Sequence, residues 1–150
     1  MTAKRARLGA FFLVLLAVWS GFIFMRSSKT SEASSTESEK IIRMIAGALD
    51  GGYRRMSAEN QMEYVEGFQF MARKAAHFSA YAMLGLLSAA AAVSFGLNPL
   101  AGYIYCVFYA ASDEIHQYFV PGRSCELRDF LIDAAGALAG LLIAAAIAAI

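Results

Sequence analysis

Cysteine is nearly missing from this chain of 150 residues: Cys106 and Cys125 are its only two. One falls inside an apolar run and the other in a loop beyond it. They form neither a disulfide framework nor a metal-binding spacing, and both are expected to be unpaired. Charge is scarce as well, at 17% of residues, and 13 basic against 12 acidic side chains leave a net charge of +1. No basic patch with interleaved aromatics occurs, which excludes nucleic acid as a partner. Internal repeats are absent too, and the length fits one domain.

What remains is 59% apolar, and charge is crowded out of the long apolar stretches. Four spans are expected, over residues 8–25, about 75–95, 99 to about 119, and 130–150. The fold class follows as all-α, a four-transmembrane-helix bundle in a lipid bilayer. Lys4, Arg5 and Arg7 precede the first span, as in a signal peptide. The apolar region exceeds the roughly 7–15 residues usual there, and no small-x-small cleavage site follows closely. An uncleaved anchor over residues 1–25 is the reading. The basic N-terminus places it in the cytoplasm, although residues 26–74 hold more Lys and Arg, accompanied by nearly as many acids.

Residues 26–72 read as an extracytoplasmic linker with amphipathic helices, and 73–150 as a three-helix core. Residues 27–40, rich in Ser, Thr, Glu and Lys, read as solvated linker. Ile41, Ile42, Ile45 and Leu49 fall at helical spacing and predict a short amphipathic helix, ended by Gly51-Gly52. A second helix is expected from Ser57 as N-cap, with Glu59 in its first turn. Gly96-Leu97-Asn98-Pro99 is a tight reversal: Gly96 suits a C-cap, Asn98 an N-cap and Pro99 the first helical position. Pro121-Gly122 is a second sharp turn. Gly136-x-x-x-Gly140 permits close helix approach.

The third span carries the most informative residues. Its uncharged part, 99–112, makes roughly 21 Å of helix at about 14 residues, short of the ~20 residues that cross a hydrocarbon core. Asp113, Glu114, His116 and Gln117 therefore lie at or inside the membrane boundary. A carboxylate within the bilayer costs about 2.5–3.5 kcal/mol or more, so such residues usually face a bundle interior with a function. Helical spacing aligns Tyr105, Tyr109, Asp113 and either His116 or Gln117. It likewise aligns Arg73, His77, Tyr81 and Ser88 on span two, and Asp129, Asp133, Gly136 and Gly140 on span four. The polar ends of all three spans converge on one side of the membrane, with Arg123 in the loop between two of them.

The candidates for acid–base chemistry are His77, Asp113, Glu114, His116 and Asp133. Those for ligand binding are Arg73, Gln117, Arg123 and Asp129, an arginine being suited to a two-pronged grip on phosphate or carboxylate. His77, His116 and the carboxylates are of types zinc accepts, but their spacing matches no metal motif, and Asp-Glu-x-His is not His-Glu-x-x-His. No metal or other cofactor is expected. These residues permit an enzyme without demanding one.

The segments Arg73-Lys74-Ala75-Ala76-His77-Phe78-Ser79-Ala80-Tyr81-Ala82-Met83-Leu84-Gly85, Ala111-Ser112-Asp113-Glu114-Ile115-His116-Gln117-Tyr118-Phe119-Val120-Pro121-Gly122-Arg123 and Arg128-Asp129-Phe130-Leu131-Ile132-Asp133-Ala134-Ala135-Gly136-Ala137 carry a family likeness. They resemble the VanZ-like family of bacterial membrane proteins, whose pattern runs roughly R-K-x-x-H-F-x-E-Y-x-x-L-G, S-D-E-x-H-Q-x-F-x-P-G-R and R-D-x-x-x-D-x-x-G. The resemblance implies a small multi-span protein of the cytoplasmic membrane and a role in susceptibility to the glycopeptide teicoplanin, with the biochemical step undefined. An anionic lipid-linked or wall-polymer ligand is the expected partner. Family members usually carry basic residues between spans two and three and after span four, which this chain lacks. Ala80 also stands where the family usually has Glu.

Overall fold

The computed structural model describes residues 2–148, and these are helical apart from turns and connecting loops. Residues 149 and 150, the end of the fourth expected span, and residue 1 of the expected anchor lie outside them. Five α-helices follow one another: α1 (Ala3–Ser27), α2 (Ser31–Leu49), α3 (Ala58–Ser94), α4 (Pro99–Tyr118) and α5 (Leu127–Ala148), with a single 3-10 turn, Tyr53–Arg55, between α2 and α3. Three of these, α1, α3 and α5, are long and apolar enough to cross a membrane. The remaining expected span, α4, has the length at 20 residues but not the composition. Its last turns contain Asp113, Glu114 and Gln117, all turned inward and buried.

Two stretches differ from expectation. The helix expected around residues 41–49 begins ten residues earlier, at Ser31, inside the stretch read as solvated linker. Thr30 caps it, its hydroxyl accepting from the Ala33 amide at 3.2 Å, and Glu37 pairs with both Arg26 and Lys29 at the end of α1. Those ion pairs tie the polar first part of α2, which has no apolar stripe, to the end of α1. The second difference is α3. Ser57 is its N-cap as expected, accepting from the Asn60 amide at 3.3 Å, but no break separates it from span two. The helix runs 37 residues, about 55 Å at 1.5 Å per residue, and the boundary drawn at 72/73 falls inside it. It outruns a ~30 Å hydrocarbon core, so its first turns stand in the headgroup region or beyond.

The reversal between α3 and α4 is the one the sequence indicates. Gly96 takes a φ of 76°, and Asn98 Oδ1 accepts from the Leu100 amide at 2.9 Å. Helix α3 is the hub, and its tightest partner is α5. A β-carbon added at Gly85 would lie 2.1 Å from the Ala137 carbonyl oxygen, one at Gly136 2.3 Å from that of Phe78, and one at Gly140 1.9 Å from that of Ala82. Backbone thus meets backbone along this seam, as small residues permit between membrane helices. The partner of the Gly136/Gly140 face is therefore α3. Around it Tyr81, Leu84, Cys106, Ala110 and Ala137 are fully buried. A separate cluster of Ile42, Ala46, Tyr53 and Val65 holds α2 against the first part of α3.

Candidate functional site

Where α3, α4 and α5 meet, each contributes a side chain to one polar cluster. His77, Asp113 and Asp133 each offer one donor atom, and these atoms lie within 4.8 Å of one another. The imidazole Nδ1 of His77 stands 3.5 Å from Asp133 Oδ1. Asp133 is fully buried, and neither of its carboxylate oxygens has a hydrogen-bond partner. Asp113 is held differently: the Tyr81 hydroxyl and the Gln117 amide both donate to its Oδ2, each at 3.2 Å. Gln117 in turn accepts at 3.2 Å from Arg123, whose Nε donates to the Lys29 carbonyl at 2.8 Å. A polar chain therefore runs from the loop guanidinium through Gln117 to Asp113.

Two cavities share a wall made of Arg73, His77 and Arg123. The larger, about 520 Å³, opens between α1, α2 and α3, and apolar side chains such as Phe22, Ile23 and Ile41 face Arg26, Arg73 and Arg123 across it. The smaller, about 210 Å³, is polar and reaches Gln117, Glu126 and Asp129. Among the described residues the Arg73 guanidinium donates only to Ser35 Oγ, at 3.2 Å. Among the described residues neither Arg73 nor Arg123 has a carboxylate partner within ion-pair distance. Burial presses the Arg123 pKa below the ordinary arginine value; Asp113 opposes that, while Arg73 and Arg26 add to it. Three guanidinium groups thus converge on one mouth.

The other expected site residues are placed elsewhere. Glu114 is buried and accepts from the Glu126 backbone amide at 2.9 Å, tying α4 to the start of α5. Asp129 pairs with Lys74. His116 lies on the α1 side of α4, 3.0 Å from Ser28 Oγ, its ring centroid 4.5 Å from that of Phe24 in a tilted pair. Of the two residues left open by spacing, Gln117 rather than His116 continues the inward stripe. Tyr81, on the same stripe as His77 but not among the expected site residues, joins the cluster through its bond to Asp113. Its place one turn after His77 was the available signal.

A family model described as VanZ/LLP1 matches residues 12–148. The chain belongs to the VanZ/LLP1 family. None of the curated proteins matches it, and neither does any solved structure. The match runs from α1 to the end of the described α5, so α1 and α2 belong to the family's fold along with the three helices that carry the polar cluster. On those helices the residues that carry the VanZ-like resemblance fall on the seam and its polar end: His77, Tyr81 and Gly85 from α3, Asp113 and Gln117 from α4, Asp133 and Gly136 from α5. Ala80 lies on the wall of the larger cavity, and its carbonyl accepts from Trp19 Nε1 at 2.8 Å. Glu37 lines the same cavity and is paired with Arg26 and Lys29.

Proposed function

We propose that this VanZ-like membrane protein binds an anionic ligand of the bacterial cell envelope in the cavity between α1, α2 and α3, and thereby modulates susceptibility to glycopeptides such as teicoplanin. The observation that carries the reading is the pair Arg73 and Arg123, two guanidinium groups lining an amphipathic cavity without an ion-pair partner among the described residues, while Glu37 on the same wall is already paired with Arg26 and Lys29. Guanidinium grips phosphate or carboxylate oxygens in paired hydrogen bonds, while Phe22, Ile23 and Ile41 supply a surface for a lipid chain. A lipid-linked wall precursor, a teichoic acid or a phospholipid meets both requirements. In this reading α4 is the fourth span, its polar turn shielded by α3 and α5, and the arginine cluster faces outward with the N-terminus in the cytoplasm.

The test uses Trp19, the chain's single tryptophan, which lies beside the cavity. Its fluorescence is followed in detergent while polyprenyl phosphate or phosphatidylglycerol is titrated against a zwitterionic lipid. A saturable change with the anionic lipid, lost in the Arg73→Ala/Arg123→Ala double variant, supports the reading. It should be accompanied by a change in teicoplanin susceptibility when the variant replaces the native protein. Equal responses to anionic and zwitterionic lipid refute it.

A second reading rests on the His77–Asp133 approach of 3.5 Å. A carboxylate oriented on an imidazole, with Asp113 opposite, is a general acid–base arrangement. A membrane-embedded enzyme acting on a lipid-linked substrate would use it. Asp113→Asn separates the readings: turnover of a lipid species stops while its binding persists in the enzyme, whereas a binder keeps its function.

A further inference from the structure

We propose that His77, Asp113 and Asp133 hold a divalent transition-metal ion, zinc being the best match to one imidazole nitrogen and two carboxylate oxygens. This goes beyond the anionic-ligand reading and does not rest on it. The donor set sits at the meeting point of three helices, its atoms within 4.8 Å of one another. A metal bonded at ~2.0–2.2 Å would hold tetrahedral donors about 3.4 Å apart, a contraction of at most about 1.4 Å that side-chain rotation supplies, with His77 and Asp133 already 3.5 Å apart.

The second observation is Asp133. It is wholly buried and neither oxygen makes a hydrogen bond, the His77 Nδ1 approaching Oδ1 only to 3.5 Å, and it points at the other donors. Buried carboxylates without partners are rare, because an ionised oxygen removed from water requires a cation or donors in its place. Lys74 is engaged by Asp129, and Arg123 reaches Gln117 and Lys29 instead. Asp113 is already arranged as ligands usually are: Tyr81 and Gln117 both donate to Oδ2, the kind of support that fixes a metal-binding carboxylate. Three protein ligands leave a coordination position free. His77 forms part of the shared wall of the two cavities, so water or an anionic oxygen has a route to that position.

The experiment uses the full chain, purified in detergent with a tag free of histidine, loaded with Zn²⁺ and then dialysed against metal-free buffer. Elemental analysis should find about one zinc per chain, as a three-ligand site of this kind requires. In His77→Ala and Asp133→Asn the content should fall at least about tenfold, since each loses one of three ligands, while circular dichroism and gel filtration remain those of the parent. Loading with Co²⁺ supplies a readout that needs no variant: visible absorption bands of four-coordinate cobalt should appear and vanish on adding Zn²⁺. Zinc no higher than in a buffer control, no cobalt bands, or metal content unchanged in folded His77→Ala overturns the proposal. Loss of lipid binding in Arg73→Ala/Arg123→Ala with zinc retained would refute neither the metal site nor its independence from the arginines. Retention of lipid binding in a zinc-free His77→Ala would show that the two readings stand apart.

Discussion

Replacing Gly140 by alanine sets two effects of known sign against each other. In a helix interior the exchange favours folding by about 1 kcal/mol, since alanine loses less backbone freedom than glycine. The added β-carbon, however, would stand 1.9 Å from the Ala82 carbonyl oxygen and 2.7 Å from the Leu86 amide nitrogen. Ordinary contact begins near 3.4 Å, so α5 must retreat from α3 by roughly 1.5 Å at this level. Both obstructing atoms are backbone, and no rotamer change relieves them. Overpacking of this kind costs about 1–3 kcal/mol or more, which outweighs the propensity gain.

Gly67→Ala is the matched control on α3, where nothing lies within 4 Å of the new carbon. It should hold or raise stability by up to about 1 kcal/mol. Reversible unfolding in mixed micelles, read by circular dichroism, gives both values on one scale. If Gly140→Ala is as stable as the parent while Gly67→Ala behaves as stated, the close α3–α5 contact is wrong and the site built upon it loses its frame.

Other consequences are accessible to single measurements. Tyr81→Phe removes one of two donors to buried Asp113 and should cost about 1.5–3 kcal/mol, the range for a hydrogen bond to a charged group, in the same unfolding assay. Lys29, and after it Arg26, holds the Glu37 carboxyl below its ordinary value of 4.5. The folded-state pKa is depressed, so this stabilisation is complete above pH 4.5 and disappears as acid takes pH down through the folded value. Hydrogen exchange in α2 should accelerate over that acid range in the parent and show no such step in Glu37→Gln. Cys125 is exposed and Cys106 buried, so a membrane-impermeant maleimide should label the folded protein at Cys125 alone. In intact cells that labelling is expected if the loop faces outward, and its absence there, with labelling in lysed cells, would reverse the proposed orientation.

Much of the site could be read from spacing because it depends on single helices. A period of 3.6 aligns Tyr109 with Asp113, and His77 with Tyr81, whatever the tertiary arrangement. The same period leaves i+3 and i+4 unresolved, and packing decided it: Phe24 and Ser28 of α1 draw His116 to one side, leaving Gln117 to bond Asp113. Residues 31–40 showed no apolar stripe, so their helix was hidden. What holds it is the Thr30 cap and ion pairs to the end of α1, neither visible as periodicity. The continuity of α3 was hidden for a related reason. Its first half packs on α2 and its second on α5, so the buried face changes along one uninterrupted helix. The donor cluster was the hardest to see, since metal motifs read from sequence depend on ligands close together on one element. Here each of three helices supplies one.

The glycine seam and the polar cluster are parts of one arrangement. Gly136 follows Asp133 by three residues on α5, and its closest neighbour is the carbonyl of Phe78, the residue after His77. Backbone contact one turn away therefore holds the two helices close enough for the carboxylate and the imidazole to meet. Larger residues on the seam would move α5 outward and open the cluster to lipid, where a carboxylate costs about 2.5–3.5 kcal/mol or more. Close approach shields Asp133 completely, but it also removes the water that would otherwise solvate it. The seam thus creates the need for a cation at the point where His77 and Asp113 stand ready to share one. Arg123 lies on the loop after α4 and Arg73 on α3 one turn before His77, both outside the seam and on the wall shared by the two cavities.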